Sequence, residues 1–210
     1  MRVSDASANT MPADLPGSID PESRHVSPYS TKEKIGRLLW AMVQGTLFRY
    51  SFHTWYGWRR WLVCRFGAKL HPSVHLRRTC RIECPWHLTM GRNTSLGDGT
   101  IAYCLGPITI HDRASISQHA HLCAGSHDWT RPDLPLTRPP IVIGADAWIA
   151  ADAFVGPGVT VGEGSILGAR GCAFKDLEAW SIYGGNPARK LRERPRFAGG
   201  SAEHRSDATP

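Results

Sequence analysis

A six-residue repeat limits what this chain can fold into more than any other feature of its sequence. Through the C-terminal half, every sixth residue is apolar, and the residue four positions further on is mostly small. The apolar positions are Ile143, Ile149, Val155, Val161, Leu167 and Ala173, and the second set is Ala147, Ala153, Val159, Ser165 and Gly171. A period of six is too short for a repeated helix pair and differs from the period of two of ordinary strands. We therefore predict that each hexad forms one short strand and a bend, and that three hexads form one triangular coil of a solenoid.

Earlier hexads extend the pattern through residues 70–188, more than half of the chain. They begin at Leu70, Leu76, Ile82 and Leu88, shift in phase to Met90 and Leu96, and resume at Ile110, Ile116 and Leu122. Glycine directly follows the apolar residue in four hexads, as in Ile143-Gly144. We expect these glycines to adopt backbone angles at the corners that other residues avoid. The fold class predicted from the repeat is mainly β, a parallel β-helix.

Three segments lie outside the repeat. Residues 1–30 are rich in Ser, Asp, Pro and Ala and are predicted to form a disordered leader. Residues 31–69 are basic and aromatic-rich and are predicted to be helical, with Thr31 as a candidate cap. Residues 189–210 are predicted to be a basic C-terminal tail.

Apolar residues in the segment 31–69 recur at helical spacing. The first group is Ile35, Leu38, Leu39, Met42 and Val43, and the second, on one helical face, is Trp55, Trp58, Trp61, Leu62 and Arg65. The favoured interpretation is that the tryptophans pack against the fold or a neighbouring subunit. The alternative is that this basic, amphipathic region lies on the anionic inner surface of a membrane.

The distribution of charge disfavours a nucleic-acid-binding protein. The net charge is +7, and counting by segment places +7 in residues 31–69 but −1 in residues 70–188. A nucleic-acid reader normally carries its basic stripe along the main body. The longest apolar run, Leu38–Val43, is far shorter than the roughly 18 residues of a membrane span. With no basic-then-apolar leader and six cysteines that lack a Cys-x-x-Cys pair, a cytoplasmic location is expected.

One interruption of the hexads marks a candidate active site. Residues 128–142 contain four prolines and abandon the rhythm, so they are predicted to be a loop extruded from the solenoid. A loop that gives up coil stacking often has a function. His127 stands at its root, where a neutral imidazole can take a proton from a hydroxyl group. His127 is therefore the candidate general base.

Several short motifs, in order along the chain, resemble the hexapeptide-repeat O-acetyltransferases, whose fold is a left-handed parallel β-helix. The motifs are Trp58-Arg-Arg-Trp61, Phe66-Gly-Ala-Lys69, Gly106-Pro-Ile-Thr-Ile110, Ile116-Ser-Gln118 and Gly125-Ser-His-Asp128. Within that family, the resemblance is greatest to the acetyltransferases of colanic-acid and exopolysaccharide biosynthesis. It implies an enzyme that uses acetyl-CoA to O-acetylate a sugar hydroxyl by direct transfer, with no metal.

The resemblance also assigns roles to individual residues. His127 matches the catalytic base, and the backbone N–H near Ala151 matches the group that faces the oxyanion. Coenzyme A is implied to lie along the C-terminal coils, with two arginines toward its phosphates. The implied cofactor-binding residues are Ala151, Ala169, Phe174, Lys175, Arg189 and Arg192. Sites of this kind typically form between subunits, so a homotrimer is expected.

The acceptor site matches the family less fully. Sugar-acetylating relatives often place an asparagine about two coils before the base, whereas this chain has Asp98 between two glycines. Asp98 could contact an acceptor hydroxyl, orient His127 or simply occupy a turn. Trp129, in the loop, could stack on a sugar. Several sugars, and acyl groups slightly longer than acetyl, are compatible with these residues.

Two alternatives share the same solenoid. Zinc-dependent carbonic anhydrases use two histidines five residues apart, a spacing that none of the ten histidines shows. His119 and His121 could share a strand face and bind zinc with a third ligand, but Cys80 and Cys84 lack the second pair of a zinc motif. The other alternative is a non-catalytic trimeric scaffold for polysaccharide synthesis, which would not need His127 and its loop.

Overall fold

The computed structural model describes residues 27–197, in which two α-helices precede a run of short strands. Helix α1 spans Thr31–Val43 and continues into a π-helical turn at Gln44–Phe48, α2 spans Tyr56–Arg65, and a 3₁₀ turn covers Pro85–His87. The strands are β1 (Lys69–Leu70), β2 (His75–Leu76), β3 (Arg81–Ile82), β4 (Leu88–Met90), β5 (Ser95–Leu96), β6 (Ile101–Tyr103), β7 (Ile108–Ile110), β8 (Ser115–Ile116), β9 (His121–Cys123), β10 (Ser126–His127), β11 (Leu136–Thr137), β12 (Ile141–Ile143), β13 (Trp148–Ile149), β14 (Phe154–Val155), β15 (Thr160–Val161), β16 (Ile166–Leu167), β17 (Cys172–Ala173), β18 (Ser181–Gly184) and β19 (Arg189–Glu193). Most of the predicted leader lies outside the described residues.

Three parallel sheets wind into a solenoid of about six coils, as the repeat predicts. Sheet A contains β1, β4, β7, β12 and β15, and Leu177 continues it through a bridge to Val161. The parallel strands of sheet B are β2, β5, β8, β13, β16 and β18, with β19 added antiparallel at the end, and sheet C contains β3, β6, β9, β14 and β17. Successive strands of the chain therefore belong to successive sheets, which makes each coil triangular.

The core of the solenoid is built from the hexad residues. From Ile143 to Ala173 the predicted apolar positions are at most 1% exposed, and among the small positions Val159 is 2% exposed. The shift of phase near residue 90 has a simple cause, because the three-residue strand β4 turns both Leu88 and Met90 inward and Thr89 outward. The inward set was predicted correctly.

The reason for the hexad glycines differs from the one predicted. The glycines directly after the apolar residues are not in the left-handed region, which is instead occupied two positions later, for example by Asp146 with a φ of 57°. A Cβ on Gly144 would lie 2.5 Å from the backbone nitrogen of Glu163, and one on Gly162 would lie 2.5 Å from that of Ala179. These glycines are required by the close approach of the next coil rather than by their own dihedral angles.

The two helices form a cap over the N-terminal end of the solenoid. Helix α1 begins one residue earlier than expected, because Ser30 and not Thr31 is the N-cap, and it forms a capping box with Glu33. Trp40 and Phe48 are fully buried and pack edge to face, with ring centroids 6.1 Å apart. The Trp40 indole and the Phe48 phenyl ring cover the N-terminal end of the solenoid core, which would otherwise be open to solvent.

A buried arginine fastens the cap to the first coil. The Arg59 guanidinium donates to the carbonyl oxygen of Leu76 at 2.7 Å, to Ser51 Oγ at 2.9 Å and to the carbonyl oxygens of Phe52 and His53. Burial lowers the pKa of Arg59. Four of its five N–H groups donate to these oxygens, so the buried charge is stabilised by carbonyl and hydroxyl dipoles without a carboxylate.

The tryptophans predicted to share one packing face of the second helix lie on the outer side of the cap. Leu62 is buried against the solenoid, but Trp55, Trp58 and Trp61 are exposed in the single chain, so the tryptophans do not pack on the core. Within residues 27–197, neither helix is long and apolar enough to cross a membrane. The six cysteines are all free thiols.

The C-terminal part of the chain closes the last coil. Strand β19 pairs antiparallel with β18, so the first residues of the predicted basic tail belong to sheet B.

The extruded loop is shorter than predicted. The chain rejoins sheet A at Ile141, so the last two residues of the predicted loop, 141 and 142, belong to strand β12.

Candidate active site

The extruded loop leaves the solenoid as a small hairpin. Strands β10 and β11 pair antiparallel, with His127 opposite Leu136, and the Asp128 N–H donates to the carbonyl oxygen of Pro135 at 3.0 Å. In the turn that connects the two strands, the Asp128 carboxylate accepts from Thr130 Oγ1 at 2.6 Å. Local polar contacts therefore give the proline-rich loop a defined shape at the position where it carries His127.

One hydrogen bond determines which nitrogen of His127 is available. The imidazole Nδ1 lies 2.6 Å from the carbonyl oxygen of Leu134. A carbonyl oxygen only accepts, so Nδ1 carries the hydrogen and the neutral ring has its lone pair on Nε2. The side chain is exposed, so Nε2 is open to a substrate hydroxyl. A neutral histidine with an oriented, accessible Nε2 is the arrangement that a general base requires.

The residue that accepts this bond has an unusual backbone conformation. Leu134 has a φ of 44°, in the left-handed region that is unfavourable for a leucine by about 1–3 kcal/mol. Its N–H donates to the carbonyl oxygen of Arg131 at 3.1 Å, which holds the turn in place. The strain coincides with the one carbonyl that orients His127.

The loop is also connected to the cap. Arg138, just after β11, donates to the Glu33 carboxylate at 2.8 Å, and its guanidinium lies 5.4 Å from the centroid of the Tyr29 ring. The hydrogen bond from Arg138, followed by that from Ser30, lowers the pKa of Glu33 to about 2. No sequence motif marked this pair, because the two residues lie more than a hundred positions apart.

The predicted site residues lie on two different edges of the triangular solenoid. Asp98, Ala151 and Ala169 lie in turns that lead from sheet B to sheet C, which we call the B–C edge. His127 and Phe174 follow strands of sheet C and lie on the C–A edge, as does Lys175. The outer face of sheet C separates the two groups, so one chain does not bring them all together.

A cavity of about 450 Å³ collects three of the predicted cofactor residues. Phe174, Lys175 and Arg189 line it, and among the described residues neither of the two cations has a carboxylate partner within ion-pair distance. Lys190 also lines it but bridges Glu178 and Glu193 at 2.6 Å each, which neutralises it. Arg192 pairs with Ile182 across the sheet and is not part of the cavity lining. This cavity offers two unpaired cations to an anion.

The backbone N–H of Ala151 donates no hydrogen bond within residues 27–197. It is therefore available to donate to an anion. The N–H groups at the same place in two other hexads, those of Ala145 one hexad earlier and Ala169 one full coil later, are free in the same way across that described range. The solenoid thus provides a series of such donors, and the geometry of a single chain does not distinguish Ala151 from the others.

Asp98 does not orient His127 within the chain. Its carboxylate accepts from Thr79 Oγ1 at 2.6 Å and lies 3.5 Å from Arg77 Nε, whereas Nδ1 of His127 is held by a backbone carbonyl. Asp98 instead lines a polar cavity of about 620 Å³ on the outer side of sheet B. Trp129, at the tip of the extruded loop, is 83% exposed.

An aromatic column on sheet C was missed in the sequence. Tyr103, His121, Phe154 and Phe174 follow one another up the outer face, with successive ring centroids 6.3, 5.3 and 5.7 Å apart. Burial, with a smaller effect of Arg81, lowers the pKa of His121, and its Nε2 is a buried nitrogen with no hydrogen-bond partner among residues 27–197. A signal was present, because His121 and Phe154 each directly precede an inward hexad residue.

Neither the candidate zinc residues nor the buried thiols form a reactive centre in this structure. Residues 27–197 contain no group of three or more potential metal ligands, so His119 and His121 have no third partner there. Burial raises the pKa of Cys80 and of Cys84 to about 12 and that of Cys104 to about 11. Thiols with such pKa values stay protonated near neutral pH and are poor nucleophiles.

Comparisons with known proteins support the solenoid fold. The model of the bacterial transferase hexapeptide family (six repeats) matches residues 140–170. The chain is 45% identical over 156 residues, 74% of its length and 86% of the relative's, to an Escherichia coli (strain K12) protein named as the colanic acid biosynthesis acetyltransferase WcaF.

Solved structures show the same fold at lower sequence identity. A maltose O-acetyltransferase from Clostridium difficile 630 superposes with a TM-score of 0.71 at 19% identity, covering 80% of this chain and 90% of that one. A hexapeptide-repeat-containing acetyltransferase from Vibrio cholerae, complexed with acetyl coenzyme A, has a TM-score of 0.71 at 23% identity, covering 85% and 100%.

Proposed function

Because this chain belongs to the hexapeptide-repeat acetyltransferases, we propose that it transfers an acetyl group from acetyl-CoA to a sugar hydroxyl, with His127 as the general base. The observation that carries the proposal is the 2.6 Å contact between His127 Nδ1 and the Leu134 carbonyl oxygen. It leaves the basic nitrogen exposed at the root of the loop. The relative named for colanic acid biosynthesis supports a polysaccharide precursor as the acceptor.

The proposed reaction is a direct transfer. The acceptor oxygen attacks the thioester carbonyl carbon while Nε2 of His127 takes its proton, and a backbone N–H, such as that of Ala151, donates to the oxyanion. When the tetrahedral intermediate collapses, the carbon–sulfur bond breaks and the imidazolium returns the proton to the departing thiolate. No acyl-enzyme is needed, in keeping with the raised pKa values of the buried thiols.

The cavity beside β17 is the proposed location of the negatively charged end of acetyl-CoA. Lys175 and Arg189 line it without carboxylate partners in the described part of the chain, and phosphates would pair with both. Phe174, 57% exposed, would contact the apolar part of the same molecule. Arg192 lies outside this lining and is assigned a weaker, longer-range contribution. The Vibrio cholerae structural neighbour, solved with acetyl coenzyme A, supports this donor.

A homotrimer would complete the site. In one chain, Ala151 and Ala169 lie on the B–C edge and His127 and Lys175 on the C–A edge, with sheet C between them. If the B–C edge of one subunit faces the C–A edge of the next, the two groups line one groove. Asp98 and Trp129 would then contact the acceptor from different subunits. We place the reaction in the cytoplasm, consistent with six free thiols.

The test is release of free coenzyme A from acetyl-CoA in the presence of a panel of sugar acceptors. His127→Ala is expected to lower kcat by about 10²- to 10⁴-fold, because proton removal is lost while the coils stay intact. The matched control is His111→Ala, which changes another exposed histidine on a different edge of the solenoid. Retention of full activity by the folded His127→Ala protein would contradict the assignment of the base.

Binding measurements separate a wrong base from a wrong class of protein. Calorimetric titration is expected to show one acetyl-CoA per subunit, and light scattering is expected to give the mass of three chains. A folded protein that binds no acetyl-CoA would point to the non-catalytic scaffold instead.

A further inference from the structure

The outer side of the helical cap is an extended apolar surface, which we call the cap face. Its side chains are between 37% and 63% exposed in the chain as it stands. The residues of the cap face are Ile35, Leu38, Leu39, Met42, Leu47, Phe52, Trp55, Trp58 and Trp61. A contiguous apolar surface of this kind on a folded protein marks a binding site, since a solitary chain would leave it in water.

Helix α1 carries apolar residues on two opposite sides, and only one of these sides packs against the solenoid. Gly36 packs against the indole of Trp86, and Trp40 donates to the carbonyl oxygen of Ile82 at 2.6 Å, so this side faces the solenoid. Ile35, Leu38 and Met42 fall on the opposite side at a rotation of about 100° per residue. The exposed stripe is therefore directed away from the core.

Helix α2 continues the same surface. Trp58 Nε1 donates to the carbonyl oxygen of Leu47 at 3.1 Å, which joins α2 to the π-helical turn after α1. The rings of Trp58 and Trp61 stack with centroids 5.2 Å apart, and the Arg65 guanidinium lies 6.0 Å from the Trp61 ring. Tryptophan, with an apolar body and one polar N–H, is the residue type that concentrates at the boundary between hydrocarbon and water.

The charges around the cap face have one sign. Lys32 and Lys34 flank the apolar stripe of α1 on its two sides, and further cations follow in the cap. The basic residues of the cap without a carboxylate partner in the described structure, leaving aside the buried arginine at 59, are Lys32, Lys34, Arg49, Arg60, Arg65 and Lys69. The one acidic residue of residues 27–69, Glu33, is bound by Arg138. The surface around the apolar side chains is therefore cationic.

We propose that the cap face binds the surface of a bilayer that contains anionic phospholipids, with α1 and α2 lying in the plane of the interface. Apolar side chains would enter the acyl boundary, the tryptophans would lie at the headgroups, and the lysines and arginines would meet lipid phosphates. Two copies that met through this same face would bring like charges together, which disfavours a second copy as the occupant. This inference is independent of the proposed reaction, since none of these residues lines the candidate active site.

Co-sedimentation of the full-length protein with vesicles tests the proposal. Binding to phosphatidylcholine vesicles that contain phosphatidylglycerol is expected, with weaker binding to phosphatidylcholine alone and a loss of binding at high salt. Lys32→Gln with Lys34→Gln is expected to weaken binding about thirtyfold, and Leu38→Ser with Trp61→Ser to abolish it. Trp129→Ser is the matched control, because it changes an exposed tryptophan outside the cap and should bind like the parent protein.

The same variants also test the alternative that the cap face binds a second copy of this chain. If the parent protein stays in the supernatant, and Leu38→Ser with Trp61→Ser lowers the molecular mass measured by light scattering, the cap face joins copies of this chain and the proposal is wrong. Equal binding to neutral and anionic vesicles would also overturn it, because the cations would then have no part. Circular dichroism verifies that each variant is folded. The two cap variants, Lys32→Gln with Lys34→Gln and Leu38→Ser with Trp61→Ser, are expected to keep their acetyl-transfer activity with soluble acceptors.

Discussion

The solenoid and the helical cap direct their apolar residues in different ways. In the solenoid, inward residues such as Leu76 and Ile149 are completely buried, because every coil stacks on the next. In the cap, Trp40 is buried, but Leu38 on the opposite side of the same helix is 63% exposed. A repeat therefore specifies which side of the chain is the interior. A helix with apolar residues on two sides does not, since only tertiary contacts choose between them.

The largest expected effect comes from the same leucine-to-alanine substitution made in the solenoid and in the cap. Leu76→Ala is expected to lower the free energy of unfolding by about 2–5 kcal/mol, because it leaves a cavity between coils. Leu38→Ala is expected to change it by less than about 0.5 kcal/mol, because that side chain is already largely in water. Urea unfolding followed by circular dichroism measures both. A large loss for Leu38→Ala would show that the cap face is buried between copies in solution.

A second pair of variants compares glycines. Gly162→Ala is expected to destabilise the protein by about 1–3 kcal/mol, because its Cβ would lie 2.5 Å from the backbone nitrogen of Ala179. Gly45→Ala, in the cap, meets no atom within 4 Å and is expected to be neutral or stabilising by up to about 1 kcal/mol. The midpoint of thermal unfolding reports the difference. If both variants were equally stable, close coil spacing would not be the reason for the hexad glycines.

The smallest expected effect concerns the contact between the cap and the extruded loop. The Glu33 carboxylate has a pKa of about 2, below the ordinary value of 4.5, so its contact with Arg138 contributes stability above about pH 4.5. That contribution is lost as the pH falls from there toward 2. Glu33→Gln is expected to be slightly less stable at neutral pH and to show a shallower loss of stability in acid. Parallel acid dependences for the two proteins would mean that the pair contributes nothing.

Much of the solenoid and part of the site could be predicted from the sequence. The inward positions, the three sheets and the loop behind His127 follow from the hexads, since a short period leaves few alternatives. The prediction that glycines such as Gly144 adopt left-handed backbone angles was wrong, and the error has a physical origin. The sequence shows that a side chain is absent, but the distance to the next coil appears only when the coils are stacked.

The sequence spacing could have predicted that the candidate site residues lie on two different edges of the solenoid. Ala151 and Ala169 are eighteen residues apart, which is one full coil, so they must stack on one edge. Phe174 begins the next corner. By contrast, the carbonyl of Leu134 and the contact between Glu33 and Arg138 depend on how the loop folds back, which no local pattern records.

The reversed last strand of sheet B has a consequence for growth along the solenoid axis. A stack of parallel coils presents the same unpaired backbone groups at its last rung as at its first, so copies could add end to end into a fibre. Here the first rung is covered by Trp40 and Phe48, and the last rung of sheet B is carried by β19, which runs the other way and exposes Arg189, Lys190, Arg192 and Glu193. A further copy would meet mismatched strand direction and charge, so along sheet B the molecule has a defined length.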